Sequence, residues 1–275
     1  MPTVWADDTR DAIEFEEVLS KLVDTHFEAQ LSVGRVLRIP LRANMNAYTK
    51  TEGVSNTITF QSVVGTADNF QDVTVSTYQY ASALLNAVVS VQSKYDERNR
   101  IAHGMGYALM RGVEVAIAAL PASFSQIVGT LGADPTDANL RRSWQYLRDA
   151  GVSEGAAWWF GPAAVAALLG VSKFTSSDFV EGASAIERAK LPTLYGYPVY
   201  VSNLLNAPAA GQTECALVHR EQVILLRQIK PTVKESYLIL NNADGLIACD
   251  LYDTREAVWV SEVPAGDSDP TAVDS

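Results

Sequence analysis

SKYDERNRIAHGMGYALMRGVEVAIAAL, residues Ser93 to Leu120, is the stretch around which the rest of the chain is arranged. Apolar residues return at Ile101, Met105, Leu109, Val113, Ile117 and Leu120, with Gly112 and Ala116 beside them. Steps of three and four trace one stripe along an α-helix. Asp96 and Glu97 fall in its first turn, where carboxylates oppose the positive end of the helix dipole. Ser93 with Asp96 fits a capping pattern, and Pro121 ends the run. The predicted helix is long for one globular core, and Gly104, Gly106 and Gly112 thin its stripe. By pattern alone it is a buried core helix or a spine bracing a flat molecule, and the flanking sequence has to decide.

A chain of 275 residues with 48% hydrophobic and 19% charged content can bury a sizeable core in one or two domains. It has no run of eighteen apolar residues, and its first residues, MPTVWADDTRD, lack the basic and apolar regions of a signal peptide. No membrane partner is expected. Cys215 and Cys249 lie in apolar, strand-like segments and are expected to pack as reduced thiols. The net charge of −11 sits at the ends: residues 1–28 hold eight acids against Arg10 and Lys21, and residues 262–275 hold four acids and no base. A nearly neutral body of this kind can face nucleic acid but does not grip it by counterion release.

Asp11 to Ala29 reads as an amphipathic helix capped by Asp11 and Glu14. From Leu31 to Tyr78 the pattern turns β-like: VGRVLRIPLR and VSNTITFQSVV alternate around a polar tip, and DVTVSTY follows. That is a long hairpin carrying Arg35, Arg38, Arg42 and Lys50, and a two-stranded ribbon of this kind has to lie on something to be stable. Gln79 to Gln92 reads as a short helix through Leu84, Ala87, Val88 and Val91. Thr136 or Asp137 starts a helix through Leu140, Trp144 and Leu147. AAWWF (Ala156 to Phe160) reads as a buried strand, and Gly161-Pro162 turns into a helix over Ala163 to Leu169. Phe174 to Ala189 is a polar loop. Strand-like runs then follow at Leu194 to Ser202, Glu214 to Gln228 and Val233 to Asn241, with GLIACDLYD and EAVWVSEV before an acidic tail. Strands and helices come in blocks, so the expected class is α+β.

Catalytic chemistry finds no foothold. His26, His103 and His219 are scattered, Gly129-Thr130-Leu131-Gly132 lacks the lysine of a phosphate loop, and Gly104-Met105-Gly106 lies inside the predicted helix. No serine sits in a Gly-x-Ser-x-Gly elbow. No catalytic, cofactor-binding or metal-ligating residue is therefore assigned, and no cofactor is expected.

In this order the elements resemble the major capsid proteins of tailed bacteriophages across residues 30–264. The 33–75 ribbon is similar to the family's extended loop, and Ser93 to Leu120 to its spine helix. AAWWFGPAAVAALLG followed by LPTLYGYPVYVSNLL is similar to a strand, Pro-turn and helix leading into a G-x-P-V-x-x-S run. CALVHREQVILLRQ and GLIACDLYDTREAVWVSEV resemble the strands that follow. The resemblance implies an N-terminal arm (1–30), an extended loop (31–78), a peripheral domain (79–133 and 233–264, spine 93–120), an axial domain (134–232) and a tail (265–275). It further implies self-assembly into hexamers and pentamers of an icosahedral shell around double-stranded DNA, built in the host cytoplasm. A separate scaffolding protein, a portal and a decoration protein are the implied partners. An encapsulin-like cargo compartment, which uses the same fold, is the alternative. Charge then suggests an inter-subunit contact: Asp11, Glu14, Glu17 and Asp24 of one copy against Arg35, Arg38, Arg42 and Lys50 of the next.

Overall fold

The computed structural model describes residues 17–31, 34–40, 49, 70–86, 97–124, 126–129, 134–171, 193–205 and 215–257. Within them lie three antiparallel or mixed sheets and three α-helices, an α+β arrangement. Strands β1 (Val36–Pro40) and β2 (Phe70–Thr74) pair antiparallel, from Val36 opposite Thr74 to Pro40 opposite Phe70. These are the two feet of the expected ribbon, with β1 paired to Phe70–Thr74; Arg42, the polar tip with Lys50 and the VSNTITFQSVV arm lie outside the described residues.

The spine is present as helix α1, Glu97–Ala119, followed by a 3-10 turn, Leu120–Ser123, that begins with Pro121 in its first turn. The proposed Ser93 and Asp96 cap lies outside the described residues. Met105, Leu109, Val113 and Ile117 are buried, so the stripe packs as its spacing dictates. By length and composition Asn99–Ser123 would also cross a membrane. Here that one apolar stripe is spent on a three-stranded sheet, in the order Thr77–Asn86, Ala243–Glu256, Val223–Leu238, and on the core beyond it.

Strand β3 spans Thr77–Asn86, β8 Val223–Leu238 and β9 Ala243–Glu256. Two expectations are corrected here. The short helix over Gln79 to Gln92 is a strand as far as Asn86, because Ala81, Ala83 and Leu85 alternate inward while Tyr78, Tyr80 and Leu84 point out. Pairing along ten positions with β9 overrides the helical propensity of an alanine-rich segment. Likewise Val233 to Asn241 is no separate strand. It continues β8 through Pro231, and the register shifts between Ile229 and Thr232 absorb the missing N–H.

The expected N-terminal helix is also absent from residues 17–30. Two 3-10 turns, Leu19–Lys21 and His26–Gln30, flank Asp24, which bridges Ile224 of β8 in parallel. Asp24 N–H donates to the Val223 carbonyl and the Leu225 N–H donates to the Asp24 carbonyl, both at 2.9 Å. Leu19, Val23 and Leu31 are buried as a result. A regular helix over this segment would break the bridge that seats those three side chains.

The remaining sheet has the order β5-β6-β4-β7, with β5 Thr193–Leu194, β6 Tyr197–Val201, β4 Ala156–Phe160 and β7 Cys215–His219. Helix α2 (Asp137–Asp149) starts where Thr136 accepts the Asn139 N–H, and Pro162 opens helix α3 (Pro162–Leu169). Tyr195 and Gly196, both at positive φ, form the two-residue loop joining β5 to β6, where glycine carries no steric cost. Every residue of β4 is buried. Trp158 and Phe160 stack in a cluster with Leu140 and Leu168, whereas Ala157 and Trp159 enter a second cluster with Val113, Ile117, Leu19 and Val223. One strand thus serves two cores.

Candidate assembly surfaces

The charged residues singled out from sequence separate into three groups. Asp11, Glu14, Arg42 and Lys50 lie outside the described residues. Glu17 and Asp24 are engaged within their own chain: Glu17 accepts the Ser20 hydroxyl at 2.6 Å, and the Asp24 carboxylate accepts the His26 N–H at 2.9 Å. Arg35 and Arg38 stand exposed on the ribbon foot. Arg38 makes a two-pronged bond to Asp72 across the β1–β2 pair, at 2.7 and 2.8 Å, and lies over the Phe70 ring. The hydrogen bond from Arg38 lowers the Asp72 carboxyl below its usual range, and Asp72 raises Arg38. At full exposure such a pair adds little stability, but it sets the register of the ribbon foot.

Sequence reasoning missed two buried acids. Glu114, on α1, accepts the N–H groups of Leu19 at 3.0 Å and Ser20 at 2.7 Å. It thereby satisfies orphan donors of the first 3-10 turn and ties the N-terminal segment to the spine. Asp250, on β9, is 0% exposed beneath α1, and the Arg227 guanidinium is 3.5 Å away. Burial raises its pKa, opposed first by Arg227; Glu28 is raised by burial in the same neighbourhood, opposed by Arg227 and Lys230. Next to them Gln79 donates to the Leu109 carbonyl and Tyr252 to that of Gly112, so the sheet also holds α1 by its backbone. No sequence pattern marks such contacts, because the partners are backbone groups or lie more than twenty residues away.

Among the described residues no group of His, Cys, Asp and Glu could hold a metal ion. The exposed features are instead extended and apolar. Tyr78, Tyr80 and Leu84 line one face of β3, and the β8–β9 hairpin carries Ile239 and Leu240, 83% and 99% exposed, at its turn. Large apolar side chains so placed are characteristic of surfaces that meet other proteins.

No family model and no curated protein sequence matches this chain. Its fold does have solved counterparts. A structure titled Mycobacterium phage Che8 aligns with a TM-score of 0.74 at 19% identity, covering 93% of each chain. A chain from the asymmetric unit of the bacteriophage PhiM1 mature capsid aligns at 0.71 and 15% identity, over 93% of this chain and 88% of that one. The capsid of a native GTA particle, computed with C5 symmetry, aligns at 0.65 and 14% identity, over 95% and 93%. The chain therefore has the fold of phage capsid subunits, along essentially its whole length.

Proposed function

We propose that this chain is the major capsid protein of a tailed phage. The carrying observation is that a subunit fold found in virion shells accounts for more than nine-tenths of it. In this reading copies of the chain form hexamers and pentamers, and these close into an icosahedral shell that encloses double-stranded DNA. The role is structural, not enzymatic. Residues 79–133 and 233–264 form the peripheral domain with the spine, residues 134–232 the axial domain, and 1–30, 31–78 and 265–275 the arm, loop and tail. Assembly takes place in the host cytoplasm with a separate scaffolding protein and a portal, and a decoration protein is compatible with the finished surface. The shell meets DNA without sequence recognition, in keeping with a chain of net charge −11.

The acidic arm and the basic ribbon remain the proposed charge contact between copies: Asp11, Glu14, Glu17 and Asp24 facing Arg35, Arg38, Arg42 and Lys50. Because Arg38 also holds Asp72 in its own chain, Arg35→Glu is the cleaner variant. It is expected to slow the joining of capsomers and to make assembly less sensitive to salt. Unchanged assembly with unchanged salt dependence would remove the contact. The function itself is tested by electron microscopy of the purified protein, expressed alone and with its scaffold. Closed shells or hexamer sheets are expected, and a stable monomer under every condition overturns the proposal.

A further inference from the structure

We infer that the face of the β3–β9–β8 sheet turned away from α1 is an interface between copies of this chain. The inference rests on the capsid reading and assigns a surface to it. Along β3 the inward side chains Ala81 and Ala83 meet the helix, while Tyr78, Tyr80 and Leu84 are 56%, 63% and 57% exposed on the other side. The strand registers continue that outer face across Ile247 of β9 and Ile229 of β8, both exposed. The register places one formal charge on this face, Lys234 opposite Ile247, and Lys230 is exposed in the bulge beside Ile229. At the turn of the β8–β9 hairpin, Ile239 and Leu240 extend the apolar surface.

Charge and area decide what covers it. A polyanion or an anionic bilayer needs rows of Lys and Arg, and two isolated lysines do not provide them. Aromatic and aliphatic side chains depleted of charge are the composition of an interface core between proteins. From strand geometry the face measures about 27 Å by roughly 14 Å, on the order of 400 Å². A free-standing pair of proteins typically buries about 800 Å² per partner, so this face alone does not hold two subunits together. A contact of half that size, repeated around every subunit of a closed lattice, does. The occupant is therefore a second copy, joined only when its neighbours are in place.

Two measurements test this. Tyr80→Lys combined with Leu84→Lys alters only outward side chains. The variant subunit is expected to keep the wild-type circular dichroism and melting temperature, while its yield of shells in a sucrose gradient collapses. Normal shells from this variant would sink the idea. The second measurement needs no surface variant. Cys249 lies on this face between Tyr80 and Thr232, and with Cys215→Ala it is the sole thiol. Maleimide labelling of Cys249 is expected to be at least about tenfold slower in shells than in free subunits, because an interface core excludes solvent and reagent. Equal rates overturn the inference while leaving the capsid reading intact. A chain that never forms shells overturns both.

Discussion

Asp250 shows how a single side chain couples this fold to pH. It is fully enclosed, and burial lifts its pKa against the pull of Arg227; Glu28 shares the neighbourhood and is raised as well. Tyr252 is raised by burial and then by Asp250. A carboxyl with a raised folded-state pKa keeps its proton where the unfolded chain has lost it. Its contribution therefore declines as pH climbs from the ordinary carboxylate value, about 3.9, through the raised one. Asp72 has the opposite sign but is exposed, and its effect is small. Asp250→Asn cannot titrate. The difference in melting temperature between variant and wild type is expected to shift in the variant's favour as pH rises from about 4 to about 7. A pH-independent difference would mean that the Asp250 carboxyl titrates alike in the folded and unfolded chain, and would overturn the raised pKa. Glu114 is the other buried acid with a job, holding two backbone N–H groups. Glu114→Ala leaves both without their acceptor and is expected to cost about 3 kcal/mol in urea unfolding. Glu114→Gln, which keeps one acceptor oxygen, should lose less. Neither role was legible in the sequence. Glu114 stands between Val113 and Val115 in the apolar part of the helix, and its ligands are amides 94 and 95 positions away.

Among elements, α1 was the most legible, because a 3.6-residue period repeated over six apolar positions has one reading. Its glycines differ in a way only the fold reveals. An added methyl at Gly104 or Gly106 meets nothing within 4 Å, whereas at Gly112 it collides with the Gln79 amide oxygen. Gly104→Ala and Gly106→Ala are each expected to stabilise the subunit by about 0.5–1 kcal/mol, by removing the entropy cost of glycine in a helix. Gly112→Ala displaces Gln79 from the Leu109 carbonyl and loses that gain or more. Thermal melts of the three variants check the order, and a stabilising Gly112→Ala would show that Gln79 moves aside freely. β3 was misread for the converse reason: Leu84, Ala87, Val88 and Val91 are spaced as a helix stripe, and the alternation that matters begins earlier, at Tyr78. β4 and the Pro162 turn were legible because five consecutive apolar residues ahead of Gly-Pro fit a strand buried on both faces. The N-terminal segment was not. Its amphipathic spacing is real, but Leu19 and Val23 enter one cluster and Leu31 another, through turns and one bridge rather than along one helical face.

For the whole molecule, the question is whether the proposed peripheral and axial parts behave as separate bodies. Two features bind them. β8 runs without a break from Val223 to Leu238, through position 232 where the axial part is taken to end. β4 sends Trp158 and Phe160 into the cluster of α2 and α3, and Ala157 and Trp159 into the cluster shared with α1 and β8. Trp159 is 1% exposed, and its indole N–H lies buried without a hydrogen bond, so apolar packing at the junction is what holds it. Trp159→Ala would open a cavity between the two parts and is expected to cost about 3–5 kcal/mol. More telling is how the wild-type subunit melts. Tryptophan fluorescence, to which Trp158 and Trp159 of β4 contribute two of the five tryptophans, and far-ultraviolet circular dichroism, to which the long helix α1 contributes strongly, should report coincident transitions. In Trp159→Ala both should move down together. Two resolved transitions, with only the axial one shifted, would mean that the shared strand does not couple them. Coupling of this kind suits the proposed role as a shell subunit, because a load on one part is then carried into the other through β4 and β8.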